Sequence, residues 1–296
     1  MTTLASPSPT LPQVLSGVRV LSLALNLPGP AALMRCHQMG ARCTKLEPPA
    51  GDAMRLYSPA CYEAVGAGVT VLSVDLKTEA GQQVLHHQLA HHDVLLTSFR
   101  PSALLKLGLA WDALHARHPQ LSHVAIVGAP GAQAEEPGHD LTYLAENGLV
   151  TGLELPATLF ADMGGSLLAS EAVLQAVMHL RVHEYGTRIE VALSSAAHYM
   201  ALPREWGLTE PGAILGGAHA GYRIYACLDG RVAVAALEPH FARRLAEAAG
   251  LDATRADLLL DPVSHQRLAE FLAQRTRQQL DQLAKDKDIP LHTLAS

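Results

Sequence analysis

The sequence predicts an α/β protein with a large domain built on a parallel sheet and a smaller α+β domain after it. Three observations predict this. Short apolar runs alternate with helical stretches through the first part of the chain. A segment rich in Gly and Pro, "PREWGLTEPGAILGGAHAG" (Pro203 to Gly221), then breaks the rhythm. Beyond it, two alternating apolar runs flank Asp229-Gly230, a dipeptide suited to a tight hairpin turn.

Taken in order, "VRVLSLAL" (Val18 to Leu25) reads as a strand closed by "NLPGP", "AALMRCHQMG" as a helix and "ARCTKLEPP" as the next strand. The rhythm recurs in the strand "VTVLSVDL" (Val69 to Leu76), the helix "TEAGQQVLHHQLAHH", the strand "DVLLTSF" (Asp93 to Phe99), a helix around "WDALHARH", and the strand "LSHVAIVGA" (Leu121 to Ala129). Strands separated by helices imply a Rossmann-like parallel sheet covered on both faces.

After Asp162, "MGGSLLASEAVLQAVMHLRVH" reads as an amphipathic helix, and "GTRIEVALSSAAHYMAL" as a strand running into another helix. The hairpin "GYRIYACLDGRVAVAALEPHF" and helices over His240 to Gly250 and Ser264 to Lys285 make up the smaller unit. The expected division is a large domain over 1–202, a linker over 203–221 and a small α+β domain over 222–296.

With 296 residues and 49% hydrophobic content, the chain can bury a large core. The net charge of −6 and the scattered basic residues exclude the electrostatic footprint of a nucleic-acid binder. Four cysteines without C-x-x-C or zinc spacing suit a reducing compartment. The N-terminal "MTTLASPSPTLPQ" lacks the basic start of a signal peptide, and Pro28 and Pro30 interrupt the following apolar run. A cytoplasmic protein with no membrane contact is therefore expected. No G-x-G-x-x-G and no P-loop motif is present.

Three acid–base candidates stand at element boundaries: His139 in "PGHDLTY", Asp162 in "LFADMGG" and Glu238 in "AALEPHF". Asp162 sits just ahead of a predicted helix and has two readings, a plain N-cap or a carboxylate beside helix amides that stabilise an oxyanion. In the second reading Gly164 and Gly165 let a ligand approach the backbone. An imidazole at His139 titrates near neutrality and suits proton transfer, or else it simply bonds the backbone at a helix entry. Glu238, before Pro239, is a helix-start residue or the partner of a histidine. The "HHQLAHH" stretch has no carboxylate or cysteine partner set, so no metal site is expected there.

The ordered set "LSGVRVLSLALNLPGPAALMRCHQMGARCTKLEPPAGDAMR", "SVDLKTEAGQ", "DVLLTSFRPSALLKLGL", "GHDLTYLAENG", "LFADMGG" and "YACLDGRVAVAALEPHF" resembles the family III CoA-transferases (CaiB/BaiF), which include the α-methylacyl-CoA racemases. "GHDLTY" and "AALEPHF" are most similar to the racemase branch. The resemblance implies an acyl-CoA racemase or epimerase acting at C2 through an enolate, with His139 and Asp162 as the two bases and Glu238 orienting His139. It also implies CoA contacts at Lys45, Arg100 and Lys106, with Asp140 and Tyr143 beside the histidine. The CoA of an acyl-CoA thioester would be the sole cofactor.

The transferase branch implies instead that Asp162 is a nucleophile forming an enzyme-bound anhydride and thioester. A non-catalytic binding or scaffold protein derived from the family is the third reading. The resemblance further implies an interlocked homodimer in which one chain's small domain helps form the other's site. Two features depart from the pattern. "GAGVTV" (Gly66 to Val71) replaces a basic run, which removes charge-assisted contacts to phosphates, and the sequence ends at "DKDIPLHTLAS" where the family continues with a segment returning to the large domain.

Overall fold

The computed structural model describes residues 12–255 and 258–295. The chain divides into two compact units, one running to Ala201 and one from Leu202. The first unit is built, in chain order, from β1 (Arg19–Ser22), α1 (Pro28–Gln38), β2 (Arg42–Glu47), α2 (Met54–Tyr57), α3 (Pro59–Gly66), β3 (Thr70–Ser73), α4 (Glu79–Leu89) and β4 (Val94–Thr97). It continues through α5 (Pro101–Lys106), α6 (Trp111–Arg117), β5 (Ser122–Val127), α7 (Asp140–Glu146), α8 (Phe160–His183), β6 (Arg188–Ala192) and α9 (Leu193–Glu205), within which the division between the units falls.

The six strands are all parallel, in the order β3-β2-β1-β4-β5-β6. Side chains alternate between the faces of a strand, and the core splits accordingly. Val20, Val94, Leu96, Val124 and Ile126 join residues of α1 and α8 on one face. Leu21, Leu95 and Leu121 join Leu85, Leu104 and Leu114 from α4, α5 and α6 on the other. Every residue of β4 and β5 is buried, as a sheet covered on both faces requires.

Two departures concern the helices of this unit. The "NLPGP" stretch does not end as a loop, because Pro28 opens α1, where its missing N–H is no loss. Helix α8 buries one face, but its exposed face mixes apolar residues with Glu171, Gln175 and Arg181, so it is less amphipathic than the sequence suggests. Its buried face is made of small residues (Gly164, Gly165, Ala169, Ala172, Ala176), while Leu167, Met178 and Val182 are exposed. Small residues allow close packing on the sheet and on neighbouring helices. A Cβ on Gly164 would come 2.1 Å from the Met200 side chain, and one on Gly165 2.2 Å from Leu193, both on α9. The paired glycines are thus consumed by helix–helix contact and do not open the backbone to a ligand.

The second unit is a three-stranded antiparallel sheet, β7 (Tyr222–Cys227), β8 (Gly230–Ala235) and β9 (Leu291–Leu294), in the order β7-β8-β9. It is packed with α10 (Pro239–Ala248), α11 (Pro262–Ala273) and α12 (Arg277–Lys287). Because Cys227 pairs with Gly230, the hairpin turns through Leu228-Asp229, one residue earlier than the sequence suggests. The helix expected over Ser264 to Lys285 is two helices. A reciprocal capping box restarts the chain at Thr276, whose hydroxyl accepts the Gln279 N–H at 3.2 Å while the Gln279 side chain accepts the Thr276 N–H at 2.9 Å. Among the described residues no helix is long and apolar enough to cross a membrane.

One buried group makes the sheet acid-sensitive. His123 on β5 is 1% exposed, and its Nε2 lies 2.9 Å from the Thr97 hydroxyl on β4. Its Nδ1 has no hydrogen-bond partner among the described residues. Burial, with Arg188 nearby, lowers its pKa from 6.5 to about 3. The neutral ring is therefore favoured in the fold, and stability is lost as pH falls from the unfolded value of 6.5 toward 3. Between pH 7 and pH 5 this costs about 2 kcal/mol. His123→Gln is expected to flatten that acid limb in urea-denaturation midpoints measured across pH.

Candidate active site

A crevice opens at the carboxyl ends of β1, β4 and β5, where the strand order reverses between β1 and β4 and the following loops diverge. Open parallel sheets place ligand sites at such a switch point. The cleft has a volume of about 520 Å³ and is lined by the segments after β1 (Leu25, Asn26, Leu27), after β4 (Ser98, Phe99, Arg100) and after β5 (Val127, Gly128). Tyr57, Glu136, His139, Tyr143, Leu159 and Asp162 complete it.

His139 and Asp162 therefore share one cleft. His139 is the extended N-cap residue of α7 (φ −143°, ψ 169°), and its backbone N–H is accepted by the Thr142 hydroxyl at 3.0 Å. Its ring is exposed to the cleft. Asp162 is not the N-cap of α8, since the helix begins at Phe160 and Asp162 lies within the first turn. The cap is supplied from elsewhere, because the buried carboxylate of Asp140 accepts the Asp162 backbone N–H at 2.9 Å. The amide of Asp162 is thus committed to protein and is not among the helix-end amides left to face an anion.

Asp140 acts through Asp162 and does not itself line the cleft. Burial, then the nearby Asp140 charge, push Asp162 up from 3.8 to about 6, with His139 pulling the other way. A carboxyl group titrating there exchanges protons readily near neutrality. Tyr143 is buried, and its hydroxyl lies under two glycines of the cleft wall. A Cβ on Gly128 or Gly138 would approach it to 2.3 or 2.5 Å.

The remaining candidates fall differently. Arg100 lines the cleft at the start of α5. Lys106, at the other end of α5, lines a separate hollow with Lys77 and Phe99. Lys45 offers no charge to a ligand. It is buried between Glu47 at 2.8 Å and Asp52 at 2.6 Å, beneath the Tyr62 ring. Its place on β2, two residues before Glu47 on the same strand and facing Asp52 of the following loop, accounts for this. Glu238 stands exposed at the N-cap of α10, in the second unit.

Sequence reasoning missed Asn26, Tyr57, Ser98 and Glu136. Asn26 had a visible signal, an Asn ahead of Pro-Gly, and it adopts the left-handed conformation (φ 63°) that Asn tolerates better than most residues. The Ser98 hydroxyl accepts the Leu25 N–H at 3.2 Å and ties the β1 and β4 loops together.

The family model of CoA-transferase family III matches residues 15–296. The chain belongs to that family. It is 31% identical over 206 residues to cinnamoyl-CoA:phenyllactate CoA-transferase of Clostridium sporogenes, covering 62% of this chain and 50% of that protein. It is 27% identical over 298 residues to human α-methylacyl-CoA racemase, covering 93% and 76%. The matched region thus spans about half the length of the first of these relatives. A crystal structure of a hypothetical protein from Mycobacterium tuberculosis superimposes with a TM-score of 0.80 at 25% identity, covering 95% of this chain and 84% of that one. Racemases and CoA-transferases thus occur side by side among relatives of this family III member.

Two stability effects test the geometry. Raising the Asp162 pKa above its unfolded value means that the carboxylate form costs stability above about pH 6. Asp162→Asn is expected to raise Tm at pH 8 by about 2–4 °C, on the order of 1 kcal/mol after solvent screening. Lys45→Met leaves Glu47 and Asp52 as uncompensated buried carboxylates and is expected to cost about 3–5 kcal/mol in urea denaturation.

Proposed function

We propose that this protein is an acyl-CoA racemase or epimerase acting at C2 of a 2-methylacyl-CoA, with the CoA of the substrate as its only cofactor. The observation that carries the reading is the pairing of His139 and Asp162 across one cleft, with Asp162 poised near pH 6. A thioester acidifies its α C–H. One of the two groups removes that proton to form the enolate, and the other returns a proton to the opposite face. The positive end of α8, a helix of 24 residues, lies at the cleft and favours the negative charge of the enolate. Asp140 positions Asp162 and keeps its pKa high, so it is a positioning residue. Arg100 and Lys106 are carried with this reading as CoA contacts, and an interlocked homodimer as the assembly.

A second reading has specific support, because 31% identity is reached with a CoA-transferase. In it the Asp162 carboxylate attacks the thioester carbonyl and CoA leaves as a thiolate. The thiolate then attacks the Asp162 carbonyl of the mixed anhydride, which expels the donor carboxylate and leaves CoA on the enzyme as a thioester, and an acceptor carboxylate takes the CoA by the same steps in reverse.

Proton NMR of each enantiomer of 2-methylbutanoyl-CoA in D2O separates the two. Racemisation predicts loss of the α-proton signal from both enantiomers, with a rate falling below about pH 6 and reduced roughly 10²–10⁴-fold in Asp162→Asn. Full exchange of both enantiomers by His139→Ala would sink the two-base assignment. Absence of exchange, together with Asp162-dependent transfer of CoA to an added carboxylic acid, would establish the second reading instead.

A further inference from the structure

Proton transfer uses His139 and Asp162 but leaves the polar groups at the β1 end of the cleft without a task. Asn26 and Tyr57 line the same cleft as Asp162. Their closest approach, from the phenol to Asn26 Oδ1, is 3.5 Å, at the outer limit of a hydrogen bond. Both groups therefore keep capacity. The carboxamide has two N–H donors and carbonyl lone pairs, and the phenol both donates and accepts.

The pair is held by a buried device. The backbone N–H of Asn26 is 3.1 Å from each oxygen of the Asp52 carboxylate, which is 1% exposed. The same carboxylate accepts the N–H of Met54 at 3.0 Å and is fixed by Lys45 at 2.6 Å. Met54 begins α2 and Tyr57 ends it. One buried carboxylate thus positions both polar groups at once. Burial and the charges of Asp52 and Asp162 raise the pKa of Tyr57, so its phenol stays protonated and can donate.

We infer that Asn26 and Tyr57 form a hydrogen-bonding subsite for a hydroxyl on the acyl chain, on the carbon next to the one that loses its proton. The substrate class is then a 3-hydroxy-2-methylacyl thioester in preference to a plain branched hydrocarbon one. This rests on the proton-transfer reading for the identity of the reacting carbon. A hydroxyl donates to Asn26 Oδ1 and accepts from the phenol. A hydrocarbon chain offers neither group a partner, and because Tyr57 is 65% exposed its phenol can turn to water, so the mismatch discriminates by roughly 10-fold.

The test compares 3-hydroxy-2-methylbutanoyl-CoA with 2-methylbutanoyl-CoA on the full chain, measuring Kd by calorimetry and α-proton exchange by NMR. Wild type, Tyr57→Phe and Asn26→Gly are used, the last tolerating the left-handed backbone. The expected result is a preference for the hydroxylated thioester of about 10-fold in wild type, falling to within about 3-fold in both variants. Equal affinities in wild type, or a preference that survives in both variants, would overturn the subsite. The two proposals fail separately. A variant-sensitive binding preference without exchange removes the racemase and leaves the subsite, whereas exchange without preference does the reverse.

Discussion

The cleft depends on one hydrogen bond, from the Asp162 amide to the Asp140 carboxylate, made across 22 positions of sequence. It does three things together. It caps α8 with a side chain from α7, fixing where the long helix starts. It places the second carboxylate on a rigid turn at the mouth of the crevice. It also sets a buried negative charge beside that carboxylate, which with burial lifts Asp162 to about 6. Helix ends accept anions readily, so the arrangement offsets part of the repulsion between two acids. Without the cap, Asp162 would sit on a fraying turn where water lowers its pKa toward the usual carboxylate range.

A second buried charge cluster stands on β2 and the loop after it. Lys45 sits between Glu47 and Asp52, and Tyr62 donates to Glu47 at 3.1 Å. Desolvating three charges is costly, and such clusters seldom stabilise a fold more than well-packed apolar groups would. What this one supplies is position. Through Asp52 it anchors the Asn26 loop after β1 and the start of α2, beside the apolar cluster of Met54, Ala31 and Val65. The Lys45 charge, which the family resemblance offers to CoA, is spent inside the protein, whereas Arg100 and Lys106 are not.

The parallel sheet was legible because strands buried on both faces read as unbroken apolar runs, as in "VLLT" and "SHVAIV". Prolines were the main misdirection. Pro28 reads as turn punctuation, yet α1, α3, α5, α10 and α11 all begin on a proline. The split between α11 and α12 was written in Thr276-x-x-Gln279, a capping box overlooked within an apolar periodicity. At the site, His139 and Asp162 stood out because titratable residues at element boundaries are visible locally. The fates of Asp140 and Lys45 were hidden, because each depends on a partner that only the folded chain brings near. Gly164 and Gly165 looked like a ligand cradle, but their missing side chains make room for α9.

The balance of charge in the cleft constrains what it can hold. Among the described residues lining it, Arg100 is the one fixed cation, against the carboxylates of Glu136 and Asp162. A second multiply charged anion there would raise the Asp162 pKa further and remove the carboxylate form at neutral pH. A neutral thioester end has no such effect, so it can occupy the cleft while Asp162 stays close to half ionised near pH 6. Phosphate charge is better borne near Lys77 and Lys106, in the hollow that shares Phe99 with the cleft wall. Under the proposed proton-transfer reading, distance between a CoA phosphate and the Asp162 carboxylate would keep that phosphate from raising the Asp162 pKa further.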